Sequence, residues 1–538
     1  MRFTSCILLL GAALSQAVSA QTIESADFNA TEALLEKGIN ITALPQLAAL
    51  AERSSNAACS IACGSLRILY GSAVLTEGST AYDSFTGGYW SVQQSSVDPY
   101  CIFKPASALD VSVSILIARL SQCPFAVKSG GHAAFAGASS IEGGITIALE
   151  RIDDIVVSKD KKTVAIGPGN LWFDVYTTLQ PTNLAVIGGR VSGIGVGGLT
   201  LGGGISFFSN IYGWACDNVA SYEVVTASGV VLTASPSQNS DLFWALRGGG
   251  NNFGVVTKFN LNTIPLPGHL MWGGSRIHTR DQFPQVIDAF YNVGINSPKD
   301  PNAAQIMSFA YAQSVDLDLV SADLQYAKPI ANASIFSQYF AIPPFIDNTK
   351  VRTLSDLTQQ FNASNPNGLR ETYWASTYKL TEDLVTEVGN IFYDELAAIK
   401  DAAGIVPAAT LQVISKGMLD NMKKNGGNPL GLIEDAAQGP FLLVNLNMQW
   451  TNIADDARIM QANANIIRRA DAYAKQNGLY NDYIYMNYAS QYQAVVPSYG
   501  KQNQAKLKTI AAKYDPTGVY QRLQPGYFKL DGSPATGL

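Results

Sequence analysis

Residues 128–137 read KSGGHAAFAG and carry His132, one of only three histidines in a chain of 538 residues. Paired glycines and small side chains on either side leave its imidazole free to approach a ligand closely. A neutral imidazole can serve as a metal ligand, a proton carrier or a nucleophile. Because His269 and His278 are the only others, a histidine metal cluster has no further members to draw on. Near the other end, DYIYMNYASQY supplies Tyr483, Tyr485, Tyr488 and Tyr492. A phenol has an ordinary pKa of about 10, so it acts as a base only beside a positive charge or another group that steadies its anion. The stretch LLVNLNMQW sets Asn445, Asn447 and Gln449 against Leu446 and Met448. Such alternation makes a strand with one polar face, turned either to a ligand or to solvent.

The elements that must position these groups can be read around them. CIFKP is a short strand stopped by proline. SALDVSVSILIARLSQ repeats Leu109, Val113, Leu116 and Leu120 at helical spacing, with Ser107 and Asp110 placed as in a capping box. FAVKSGG is a second strand running into the histidine loop, which completes a strand-helix-strand unit. GITIALERIDDIVVSKDKKTVAIGPG follows as strands joined by a charged turn at Lys159 to Lys162, then a helix LWFDVYTTLQ and a strand LAVIGG. The hairpin SYEVVTASGVVLTAS turns at Ser228-Gly229, and a further helix, glycine turn and strand end at Pro267. Residues 95–268 therefore read as one α+β unit. From 269 to 480, long helical stretches such as TEDLVTEVGNIFYDELAAIK accompany strands such as FLLVNLNMQW, the pattern of an antiparallel sheet covered by helices. Residues 21–94 form an N-terminal segment, and 481–538 a tail expected to pack back on the first unit.

Glycines cluster at 130–131, 188–204 and 248–254, so in three places the backbone must turn unusually or approach something closely. GIGVGG satisfies G-x-G-x-x-G through Gly193, Gly195 and Gly198, with Asp217 further on as a candidate ribose contact. That fingerprint must open a helix, whereas Gly202, Gly203 and Gly204 follow where helical residues are needed, at about 1 kcal/mol each. A large flat or anionic ligand lying on exposed amides accounts better for all three clusters, because successive N–H groups can hold a pyrophosphate without lysine.

FAVKSGGHAAFAGASS, VAIGPG, GVGGLTLGGGISF, YGWACDNV, SYEVVTASG, DLFWALRGGGNNFGVVTKF, YMNYASQY and KYDPTGVYQRLQPGY occur in that order. Together they resemble the fungal berberine bridge enzyme-like flavoproteins, of the vanillyl-alcohol oxidase or PCMH-type FAD-binding superfamily. The resemblance implies an α+β fold with a PCMH-type FAD-binding domain over 95–268 and a substrate domain over 269–480. It implies a histidine bonded to the flavin 8α carbon, which by motif is His132. Lys128, Ser129, Gly130, Gly131 and Ser139 would line the pyrophosphate. Gly195, Gly197, Gly198 and Gly202 would let backbone approach the cofactor, with Val255 and Asn487 as further contacts. Tyr488 would be the reactive-site group, with Tyr485 on the same wall. Relatives with a second flavin bond carry a cysteine four residues before the GVGG motif; here Val191 stands there, so a single covalent link is expected. The implied activity is oxidation of an alcohol, amine or activated carbon of a small molecule, a fungal secondary metabolite, with O2 as acceptor and H2O2 as product. An oligosaccharide oxidase and a flavin-containing cyclase without net redox are the alternatives.

Composition bounds the rest. Apolar residues make up 47% and charged residues 14%, which supplies a large core and excludes a disordered chain or a coiled coil. With 42 acidic against 36 basic side chains, a net charge of -6 and no dense Lys/Arg cluster, nucleic acid is excluded as a partner. The first twenty residues join Arg2, an apolar stretch and a small-x-small ending at Ala20, a secretory signal expected to be cleaved there. No later stretch is suited to span a bilayer, so a secreted, soluble monomer is expected. Sequons at Asn29, Asn40, Asn332 and Asn362 fit a glycoprotein. Loss of the leader removes Cys6 and leaves Cys59, Cys63, Cys101, Cys123 and Cys216. The odd count allows two bridges among the first four, in unspecified pairing, with Cys216 free. The C-x-x-x-C spacing of Cys59 and Cys63 lacks a nearby histidine to make a zinc site.

Overall fold

The computed structural model describes residues 22–50 and 58–538; the leader lies outside the described residues. Three sheets organise it. The first runs in the order Val74–Thr76, Cys101–Phe103, Ile145–Ala148, Phe125–Lys128, and its last three strands are parallel. Helix Ala108–Ser121 makes the crossover from Cys101–Phe103 to Phe125–Lys128. Its start is capped as the sequence suggests: Ser107 Oγ accepts from the Asp110 amide at 3.2 Å, and the Asp110 carboxylate accepts from the Ala106 amide at 2.9 Å. The buried face is wider than the four-residue spacing implies. Every residue from Val111 to Ala118 is buried, because helix Ala58–Tyr70 packs on the side away from the sheet; Leu109, by contrast, is exposed.

Disulfides Cys59–Cys123 and Cys63–Cys101 rivet helix Ala58–Tyr70 to this unit, and Cys216 is free and buried. The unit's N-terminal edge lies earlier than residue 95. Val74–Thr76 pairs antiparallel with Cys101–Phe103, so part of the 21–94 segment belongs to the same sheet. Three-residue strands and helices of four to seven residues in this stretch carry too short a period to be recognised from sequence.

The second sheet is built around the long strand Val255–Pro265. It pairs antiparallel with Thr163–Ile166, Val219–Val225 and Leu184–Val186. The hairpin of Val219–Val225 and Val231–Ala234 turns through Gly229 at φ 73°. The glycine-dense segment makes only a six-residue helix, Val196–Leu201, which stops at Gly202 before Gly203 and Gly204 at φ 120° and 88°.

The third sheet has nine strands, all antiparallel, with Leu270–Thr279, Leu317–Tyr326, Ala303–Ala312, Val406–Ile414, Phe441–Trp450 and Arg370–Lys379 adjacent in that order. Helices Phe283–Asn296, Glu382–Leu396 and Asp456–Gln476 bury one face. Leu442, Val444, Leu446 and Met448 point into that core. The intervening residues of the strand turn towards the first two sheets. Downstream, helix Lys501–Tyr514 docks on the glycine-rich unit through Lys513 Nζ to Asp241 at 2.6 Å, and Tyr520 donates to Val225 O at 2.8 Å.

One buried node joins the glycine-rich unit to the nine-stranded one. Arg247 and Asp217, both 0% exposed, pair at 3.1 Å. The guanidinium also donates to Cys216 O, Lys424 O and Gly427 O, and Asn428 donates to the same carboxylate. A charge so buried is tolerable only while its partners hold it. Arg247→Met should therefore lower stability by about 3–5 kcal/mol, and Arg247→Met with Asp217→Asn should recover part of it. Urea unfolding of the two variants checks this.

Candidate active site

Two loops meet backbone to backbone. A Cβ on Gly130 would lie 2.5 Å from Gly195 N, and one on Gly195 only 2.3 Å from Gly130 N. Ser129 stitches the same contact: its hydroxyl donates to Pro168 O at 2.5 Å and accepts from Gly197 N at 3.1 Å. Beside them Gly198 faces open space, with nothing within 4 Å of where its Cβ would stand. These loops floor a cavity of about 1090 Å³ that also reaches Val255, Asn251 and Tyr527.

His132 stands in its wall. Its Nε2 is buried without a hydrogen-bond partner, and burial pushes its pKa down to about 4, so the ring is neutral at neutral pH. The ring is oriented by a segment that the sequence left unassigned. Trp90 stacks on it at 4.0 Å and 13°. Gln94 Nε2 donates to Ala133 O at 3.2 Å, Ser91 donates to the same oxygen at 2.9 Å, and Gln94 Oε1 accepts from both the amide and hydroxyl of Ser139. Tyr89 fills the space under Gly131, where φ is 75° and a Cβ would meet the Tyr89 ring at 2.9 Å.

Rings continue from there around the cavity. Trp90 and Tyr373 lie 5.5 Å apart, Tyr373 and Tyr488 6.2 Å, and Tyr488 and Tyr485 4.8 Å edge to face. Tyr488 receives a hydrogen bond from Arg190 Nη2 at 2.6 Å and another from Gln412 Nε2 at 3.2 Å. Arg190 thus sets a positive charge against the Tyr488 oxygen. Sequence held a sign of it, since Arg190 is the sole charged residue between Asp174 and Asp217. Tyr485 is different. Its oxygen accepts from Gly204 N, Ile205 N and Asn487 Nδ2, and burial holds its pKa well above the phenol range. Tyr485 also lines the cavity, and through these contacts it pins the glycine turn. Asn487 lines the cavity and also donates to Leu199 O at 3.0 Å.

The nine-stranded sheet roofs the cavity. Asn445 and Asn447 line it, alongside Thr410, Ser308 and Gln412 from neighbouring strands, whereas Gln449 lies beyond it and reaches Ser364 O at 3.5 Å. Two predicted cofactor contacts also fall elsewhere. Lys128 carries its ammonium over the rings of Phe85 and Tyr89, about 5 Å from each centroid and away from the cavity lining. Gly202 makes room for Asn487, whose Oδ1 would sit 2.0 Å from a Cβ there. Ser129, Gly130, Gly131, Ser139, Gly195, Gly197, Gly198 and Val255 do line it, as does Val191. Asn29, Asn40 and Asn332 are exposed; Asn362 is half-buried and accepts from Gly193 N at 3.0 Å.

Comparison with known proteins agrees with this geometry. A family model described as FAD binding domain matches residues 99–235. The chain is 34% identical over 500 residues to the FAD-dependent monooxygenase tpcD of Cochliobolus heterostrophus, covering 89% of this chain and 95% of that protein. Among solved structures, 6-hydroxy-D-nicotine oxidase from Arthrobacter nicotinovorans superposes with a TM-score of 0.67 at 20% identity, over 85% of this chain and 97% of that one. A chitooligosaccharide oxidase does so with a TM-score of 0.68 at 20% identity, over 87% and 100%. At that identity these two share the fold and leave the substrate open.

The glycine contact makes a direct prediction. Gly195→Ala should force the two loops apart and lower the melting temperature by several degrees, whereas Gly198→Ala, whose methyl meets nothing, should leave it nearly unchanged. Differential scanning calorimetry of the two variants distinguishes them.

Proposed function

Since the chain belongs to the berberine bridge enzyme-like FAD-linked oxidoreductases, we propose that it is a secreted oxidase that holds FAD by one covalent bond, at His132. It oxidises an alcohol, amine or activated carbon of a small molecule, a fungal secondary metabolite, and passes the electrons to O2 with release of H2O2. The observation that carries this reading is the Arg190 guanidinium on the Tyr488 oxygen at 2.6 Å, in the wall of the cavity that also holds His132.

The residues fit the cofactor. A neutral, unpartnered imidazole suits attack on an electrophilic carbon. The Gly198 backbone, open where a side chain would stand, leaves room for an anionic group against the loop amides, in a site with no lysine in its lining. Bound there, FAD would accept a hydride from the substrate carbon. Tyr488, starting as phenolate, would take the proton of the substrate heteroatom and become a neutral phenol. Arg190 and Gln412 both donate to that oxygen, the arrangement an oxygen needs to carry negative charge. Trp90 and Tyr373 close the wall beside His132 against water. A second covalent link has no residue to form it: Val191 lines the cavity, while Cys216 is buried outside it beside Asp217, with its thiol pKa raised by burial.

Secretion is supported by the two disulfides, which persist in oxidising compartments. Glycans fit the exposed Asn29, Asn40 and Asn332 better than Asn362, whose side chain braces Gly193.

Acid-precipitated protein should stay yellow, and His132→Ala should give a colourless pellet; a colourless wild-type pellet would overturn the covalent link. Attachment of added FAD to apo-protein should proceed at neutral pH and fall away on acidification through about 4, where the imidazole gains its proton. Tyr488→Phe should slow anaerobic flavin reduction by about 10²-fold or more. Arg190→Met should slow it by roughly tenfold or more, with Arg190→Lys retaining more of the rate.

A further inference from the structure

The cavity's charged and hydrogen-bonding groups describe the molecule it takes. Among the described residues, its only lining side chains of full charge are Arg190 and Asp323, of opposite sign. Burial raises the Asp323 carboxyl to about 6, against the lowering effect of the Ser275 and Ser321 hydroxyls and of the Arg190 charge.

Asp323 stands in a polar row. Across adjacent roof strands Ser321 pairs with Ser308, Ser308 with Thr410, and Thr410 with Asn445. All four line the cavity, in a strip of roughly 14 Å at the spacing of neighbouring strands. Asp323 is two residues from Ser321 on the same face and pairs with Ser275 on its other side. It is 9% exposed, and its carboxylate accepts from the hydroxyls of Ser275 and Ser321. Two donors leave a carboxylate with lone pairs to spare. Nearby, Gln412 and Asn445, 4% and 6% exposed, keep their amide oxygens without a partner. Buried acceptors left without a donor call for a ligand that brings one.

We propose that Asp323 is a specificity-determining residue, accepting a hydrogen bond from a hydroxyl group of a neutral, multiply hydroxylated substrate. That hydroxyl is a second one, distinct from the group presented to Tyr488. The assignment rests on Tyr488 marking the reacting end of the cavity. Ammonium groups are disfavoured because Arg190 puts a positive charge in the same cavity, and fully alkylated ligands because they leave the row's acceptors unpaired.

The test uses the flavinylated full-length protein, titrated anaerobically with resorcinol and with 3-methoxyphenol, which differ by methylation of one hydroxyl. Binding is read from perturbation of the flavin spectrum. Wild type should prefer resorcinol by about tenfold, a gap of about 1.4 kcal/mol. Asp323→Ala should erase the preference and Asp323→Asn reduce it, with flavin content and melting temperature retained in Asp323→Asn. A wild type without the preference, a preference that survives both substitutions, or equal affinity for 3-hydroxybenzylammonium would each overturn the proposal. Failure of the Tyr488 reading shows separately, as unchanged flavin reduction in Tyr488→Phe.

Discussion

Everything in this molecule is arranged around two glycines whose backbones touch. Neither Gly130 nor Gly195 has room for a methyl group against the other's amide nitrogen. Their contact brings a strand-to-loop turn of the first sheet against the entry to the short helix Val196–Leu201. The histidine loop departs from one side of the contact, and the stretch carrying Arg190 and Val191 approaches from the other. Ser129 secures it with one hydroxyl used in both directions. Because so much converges on one backbone crossing, the orientation of His132 and of Arg190 is set together.

Around that crossing, three regions far apart in sequence complete the wall. Tyr89 to Gln94 orient the imidazole, the roof sheet contributes Tyr373 and Gln412, and the C-terminal region contributes Tyr488 and Asn487. Arg247, buried with Asp217, fixes the first unit to the loop at 424–428. Burial cores on either side of the roof are separate, one shared with the glycine-rich unit and one under the helices.

Much of this could be read from the residues themselves. Period-two and period-3.6 patterns located the long strands and helices, and the glycine clusters and His132 located the cavity. What escaped had physical reasons. Arg190 and Asp323 find Tyr488 and Ser275 far away in the chain, so no local pattern reports them. Gln94 sits in a four-residue helix and Trp90 in the bend before it, too short a stretch to show a period. Lys128 follows a motif-derived expectation in sequence, yet its side chain is drawn to two aromatic faces instead. Gly202 makes room for Asn487 and Tyr485 holds the glycine turn, contacts that no sequence pattern reports.

The roof sheet separates two kinds of information. One side of each strand is locked into a helix-covered interior, while the alternate side chains hang over the cavity with few obligations beyond one another. Residues such as Ser308, Thr410 and Asn445 can therefore be exchanged one at a time without rewriting the interior behind them. A lineage carrying this fold can drift from one small molecule to the next by single mutations on the open side. The alternation of the strand is thus a source of evolvability as much as of stability.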